Sequence, residues 1–352
     1  MTNPYRGLPD HQYWRPAISA TESHLIDPVT VAGFRIGPED RVATAGSCFA
    51  QHIARAISGM GLDYFVVEDG AGLSLEERAR RQYGLFSGRY GNIYTAAQLR
   101  QLLEEAFDGR TPLDTAWPGR NGGWVDPFRP TIEPDGFASP EAVAADRELH
   151  LAAVRRLVSE LDVFVFTLGL TEAWRSRADG SVYPLAPGVA GGSYQPELHE
   201  FVNFSAAEVE TDLAAALDRM RAINPQMRVL LTVSPVPLIA TYEARHVLVS
   251  TAYSKAALRV AADAVSRRFD WVDYFPSYEL ITGPATAGIY FEEDMREVNA
   301  LGVAHVMRVF AQHYVAGAAP PPTTAASEIE VGESDVLCDE ALIDALRAGR
   351  TS

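Results

Sequence analysis

Two near-continuous apolar runs constrain this chain more than any other feature: Val163-Phe164-Val165-Phe166-Thr167-Leu168 and Val229-Leu230-Leu231-Thr232-Val233. A strand that is apolar on both faces must be buried on both, as in a parallel sheet covered by helices on each side. The surrounding pattern agrees. Apolar residues recur at helical spacing from Phe49 to Met60, Tyr94 to Phe107 and Pro140 to about Glu160, then over 206–222, 252–268 and about Val298 to Tyr314. Shorter strands are expected at 42–45, 64–67 and 271–275. Strands alternating with helices imply an α/β fold with a mostly parallel central sheet.

Residues 1–40, 68–91, 108–140 and 175–204 read as irregular lead-in and long inserted loops. One domain is expected over 1–315, followed by a tail over 316–352. That tail opens with an Ala/Pro/Thr-rich linker, Ala316 to Thr324, and ends in an acidic segment with a short helix pattern, Asp339 to Leu346.

Acidic residues outnumber basic ones 46 to 30, for a formal net charge of −16. Nucleic acid and anionic membranes need a positive surface, so neither is an expected partner. The only cysteines are Cys48 and Cys338, with no CxxC or Cys/His cluster. A disulfide framework, a structural zinc site and a cofactor are therefore not expected. No run of about 18 apolar residues occurs, so no membrane span is expected. The polar start, Met1 to Arg15, has no signal-like apolar stretch, and a cytoplasmic protein is the default.

Ligands of open parallel sheets bind beyond the carboxyl ends of the strands. Three such ends carry chemistry. Gly46-Ser47-Cys48 leads from a strand directly into a helix, where backbone N–H groups stabilise an oxyanion or a thiolate. Its plainer reading is a tight turn with a small buried cysteine. Gly169-Leu170-Thr171-Glu172 follows the second strand, with Thr171 and Glu172 either in the cleft or simply starting the next element. Ser234-Pro235-Val236-Pro237 follows the third and reads first as a rigid loop. In the loop 108–140, Trp124, Asp126, Phe128 and Arg129 are either a substrate wall or a packed loop with a surface ion pair. Lys255 is either a cation for a phosphate or a solvated surface charge.

The block Ala45-Gly46-Ser47-Cys48-Phe49-Ala50 contains the sequence that names the GSCFA family. Gly91-Asn92-Ile93-Tyr94-Thr95, Phe166 to Glu172, Ser234 to Pro237, Tyr253-Ser254-Lys255 and Tyr274 to Glu279 also resemble that family, in the right order. The family in turn resembles a branch of the SGNH/GDSL hydrolases. That resemblance implies a three-layer flavodoxin-like fold and ester chemistry, by hydrolysis or O-acyl transfer.

Carried over residue by residue, the resemblance puts Cys48 in the nucleophile place by register, or Ser47 by the usual superfamily chemistry. Cys48 is preferred, since a thiol needs less help to ionise. Gly91 and Asn92 fall in the oxyanion-hole block, and Thr171 with Glu172 in the block that otherwise supplies an asparagine donor. Asp294 stands as the triad acid in Asp294-Met295-Arg296-Glu297, but Glu297 occupies the place of the histidine. His246 is the preferred replacement, His305 the next, and Glu297 itself the third.

The function expected is therefore an esterase or O-acyltransferase acting on a small-molecule or glycan acyl ester. The alternative is a non-catalytic binding module for an acylated or coenzyme-A-linked ligand in polysaccharide biosynthesis. A third reading is an assembly partner in glycan synthesis that works through its acidic tail.

Overall fold

A computed structural model describes residues 3–317 and 338–348. The linker expected from Ala316 to Thr324 falls, beyond residue 317, outside the described residues. The strands are β1 (Val42–Gly46), β2 (Trp117–Pro118), β3 (Trp124–Val125), β4 (Val163–Leu168), β5 (Glu172–Ser176), β6 (Val182–Tyr183), β7 (His199–Asn203), β8 (Arg228–Val233) and β9 (Val272–Tyr274). The α-helices are α1 (Ala50–Gly59), α2 (Leu75–Arg80), α3 (Ala96–Phe107), α4 (Pro140–Glu160), α5 (Ala206–Ile223), α6 (Val247–Arg268), α7 (Ser277–Thr282), α8 (Ala300–Tyr314) and α9 (Ala341–Ala348).

The central sheet is all parallel, in the order β1-β4-β8-β9. Alternate residues of each strand serve opposite cores, as the period-two geometry of a strand requires. Phe164, Phe166 and Leu168 join Ala43, Ala45, Val229, Leu231 and Val233 on one face, beneath α3, α4, α5 and α6. Val163 and Val165 join Val42 and Leu230 on the other, beneath α1, α7 and α8. The uninterrupted apolar reading of β4 and β8 follows from this double burial, and the three layers match the flavodoxin-like expectation. Each fully buried large apolar side chain contributes about 1.5–3 kcal/mol, so the helices are held mainly by these faces.

Helix starts are set by side-chain caps. Thr95 and Ser205 form capping boxes with Gln98 and Glu208, while Ser139 and Asn299 cap α4 and α8.

Four expectations need correction. Residues 64–67 form no strand; they run along the outer edge of β1, with Val42 N donating to Asp63 O and Phe65 N to Val42 O before the chain leaves towards Ser87. The stretch 175–204 is not a bare loop, because β5, β6 and β7 make a second, antiparallel sheet in the order β6-β5-β7. Helix α6 begins at Val247 rather than 252: the β-branched start Val247-Leu248-Val249 suggested extended chain, but the His246 side chain caps it.

The fourth is the supposed substrate wall. Asp126 and Arg129 are buried and paired at 2.7 Å, and Arg129 reaches Asp146 on α4 at 2.8 Å. Arg89 joins the same network through Asp146 and Glu133. Burial alone would raise the Asp126 carboxyl, but Arg129 and Arg147 outweigh it and hold the group at about 2. These charges lock the loop to α4.

β1 ends in Gly46, with φ +133°, where a Cβ would lie 2.3 Å from Thr167 O of β4. A side chain here is excluded both by conformation, at about 1–3 kcal/mol, and by collision with paired backbone. Gly46→Ala is expected to lower Tm by about 5 °C or more, read by thermal unfolding; an unchanged Tm would show that the two strands do not meet this closely.

Candidate active site

The sharp exit from β1 builds the site. Ser47 N donates to Thr167 O at 3.1 Å, and Ala50 N and Gln51 N then close on Ser47 O and Cys48 O as α1 begins. Gly46 O accepts from Ile93 N at 2.9 Å, which fastens the Gly91–Tyr94 segment beside the corner. Tyr94 O in turn accepts from Gly169 N and Leu170 N, at 3.0 and 3.2 Å, at the end of β4. The ends of β1, β4 and β8 therefore open onto one crevice, lined by Ser47, Cys48, Tyr94, Gly169, Ser234 and the apolar residues 236–238. All three strand ends singled out in the sequence meet there.

Ser47 and Cys48 are both buried. Ser47 Oγ and Tyr94 Oη have no hydrogen-bond partner among the described residues, an uncommon state for buried polar atoms. Lys255 enters from α6, 2% exposed rather than solvated, with Nζ donating to Gly169 O at 2.6 Å. Burial pushes its ammonium down to about 8. The sequence carried one signal for this: Lys255 lies three and seven residues before Leu258 and Ala262, on the stripe α6 buries.

Residues 338–340 return to the crevice and its rim. Glu340 lines it, and Arg296 Nη2 donates to Glu340 Oε2 at 2.7 Å. Thr131 Oγ1 donates to Asp339 Oδ1 at 2.7 Å, and Asn92 donates to the same carboxyl from its side chain and its backbone N–H. Burial raises both acidic groups towards the neutral form. Cys338 Sγ stands 2.9 Å from Cys48 Sγ. The hydrogen bond between the sulfurs, and then burial, push the Cys48 thiol well above its usual range. The same contact, aided by Arg296, lowers Cys338.

The candidate residues separate into two groups. Ser47 and Cys48 form the corner and line the crevice, while Gly91 and Asn92 belong to the segment that Ile93 N fastens to Gly46 O, with Asn92 turned to Asp339. Thr171 is buried behind it, its hydroxyl donated to Asn203 Oδ1 at 2.7 Å and its N–H to Ser254 Oγ at 3.0 Å. Glu172 pins the 241–242 turn, accepting from Thr241 Oγ1 at 2.6 Å and Tyr242 N at 3.1 Å.

The expected Asp294–His246 relay is not formed. Exposed Asp294 accepts from Arg296 N and Glu297 N at 2.9 and 3.0 Å, so it caps the turn that delivers Arg296. Exposed His246 spends Nδ1 on Leu248 N at 3.1 Å. His305 is held between Tyr290 Oη and Ile26 O, both at 2.8 Å, and Glu297 is exposed. No histidine lines the crevice among the described residues.

The sulfur pair gives a direct test of this geometry. Diamide, an azo oxidant that takes up two hydrogens, should join Cys48 to Cys338: each thiol gives up one hydrogen and a single S–S bond forms. Only a small closure is needed to reach a disulfide length of about 2.05 Å. The expected product migrates faster on a non-reducing gel, reverts with dithiothreitol and is absent from Cys338→Ser; a wild-type chain that stays unshifted would separate the two sulfurs.

Among the described residues, no helix is long and apolar enough to cross a membrane, and no group of three or more His, Cys, Asp or Glu side chains is arranged to hold a metal ion. No curated protein matches the chain. The GSCFA family model matches residues 41–310, from just before β1 into α8, so it spans the whole central sheet and leaves α9 outside. Since that match covers most of its 352 residues, the chain belongs to the GSCFA family.

Proposed function

We propose that the crevice carries out acyl transfer from an ester of a carbohydrate or related metabolite, to water or to an acceptor hydroxyl. The observation that supports this reading is a buried, unpartnered Ser47 hydroxyl next to Cys48 at a strand–turn–helix corner, with Lys255 bound to the adjoining Gly169 carbonyl. In this reading Ser47 Oγ or Cys48 Sγ bonds to the acyl carbon. Its proton passes to neutral Lys255, which stands in for the histidine that the crevice lacks. The tetrahedral oxyanion takes its donor from Asn92 once Asp339 has left it. Collapse breaks the ester bond, and the leaving alkoxide recovers the proton from Lys255. Water or an acceptor hydroxyl then releases the acyl group by the same steps in reverse.

A lysine serves as base only when neutral. Below about pH 8, kcat/KM should therefore climb roughly tenfold per pH unit and level off above it, following the lowered Lys255 ammonium. Lys255→Met is expected to cost about 10²–10⁴-fold and to remove that rise. Ser47→Ala and Cys48→Ala, assayed separately on a panel of acyl esters, identify the nucleophile, and the double variant should be inactive. Turnover that survives in the double variant would end the acyl-transfer reading.

A non-catalytic binding module for an acylated or coenzyme-A-linked ligand is the competing reading. The absence of any histidine among the described crevice residues favours it.

A further inference from the structure

Beside the crevice, a cation and hydrogen-bond donors from residues 92–296 meet two carboxylates from residues 339–340. Arg296 supplies the positive charge, and Asn92 and Thr131 supply hydrogen bonds. A largely buried cation without a counter-charge is strongly disfavoured, and removing one partner of such a pair leaves the other uncompensated. The domain is thus built to need an anion at this place.

Two consecutive side chains of the tail provide it: Asp339 and Glu340 are 6% and 8% exposed. The helix after them adds little. In α9, Ala341, Leu342, Asp344, Ala345 and Arg347 are exposed, so the helix is not a core element. The tail is held mainly by Cys338, Asp339 and Glu340, through their acidic and thiol groups. Ile343 and Leu346 are only half-buried, so polar side chains carry most of the anchoring, as they do for a bound ligand.

We propose that the crevice is a recognition site for a carboxylate-bearing compound, and that Asp339 and Glu340 are its intramolecular occupants, displaced when that compound enters. Resting on the acyl-transfer reading, the inference narrows the substrate class to esters whose acyl or acceptor part carries a free carboxylate. Such a group would take the places of the tail carboxylates on Arg296 and on the Asn92–Thr131 pair. A covalently attached competitor acts at an effective concentration on the order of millimolar. An external ligand must match that concentration, or bind more tightly, to open the site.

Alkylation of Cys48 reads occupancy without relying on turnover. In full-length Cys338→Ser, Cys48 is the only thiol, since the chain has two cysteines. Uncharged iodoacetamide should label it at least tenfold faster once Asp339→Asn and Glu340→Gln are added, because the tail no longer shields it. Glutarate, used as the probe, should slow that labelling again in the released variant, whereas dimethyl glutarate at matched ionic strength should not. Arg296→Gln in the Cys338→Ser background attacks the site from the receiving side: it too should speed labelling, and it should abolish protection by glutarate. Equal labelling with and without the tail carboxylates, or equal protection by the diester, would overturn the proposal. Because no ester is turned over, a failure here is distinct from a failure of the catalytic reading.

Discussion

The meeting of two backbones at Gly46 and Thr167 governs the site. Parallel pairing of β1 with β4 brings their carboxyl ends level, with Gly46 opposite Thr167. The missing Cβ then lets the chain pass against Thr167 and turn at once into α1. Its carbonyl, left free by that turn, collects Ile93, and Tyr94 collects Gly169 and Leu170. Each hydrogen bond contributes only about 0.5–1.5 kcal/mol. Together they make three sequence-distant segments a single surface, and every side chain of the crevice inherits its position from that arrangement.

Charge is handled in two contrasting ways. The acidic chain, with a formal net charge of −16, still buries several cations. Arg129 and Arg89 are neutralised by Asp126, Asp146 and Glu133, which lie on the domain itself and fix a loop to α4. Arg296 is neutralised by Glu340, which arrives from beyond residue 317. Both sets of cations are paired, but Arg296 takes its partner from outside the stretch that the family model matches.

The fold was legible because burial on two faces leaves a mark in β4 and β8 that no surface strand carries, and because the helices between the strands repeat their apolar residues at helical spacing. The sharp turn at Ser47–Cys48 was legible for a similar local reason: glycine lets a strand bend at once into a helix. Roles of single titratable groups were not. His246 as a cap and Asp294 as a turn-former use the same lone pairs that a catalytic relay would use, and only their partners tell the two apart. Lys255 was left between a ligand-binding cation and a surface charge because the burial of α6 depends on packing against distant strands. The contact between Cys48 and Cys338 spans 290 positions, far beyond any periodic signal, and nothing near Cys338 in the sequence points to Cys48.

The borders of the central sheet limit how the molecule can associate. Alongside β1, Val42 exchanges hydrogen bonds with Asp63 and Phe65. At the opposite border the short β9 sits under Asp273, whose carboxylate takes Gly33 N at 2.7 Å and the Tyr314 hydroxyl at 2.8 Å. Unsatisfied strand borders are what recruit further strands from a neighbouring molecule. Here one flank is spent on the chain itself and the other is three residues long with its own side-chain ties, so among the described residues neither border of the central sheet presents a long free strand for a neighbour to extend.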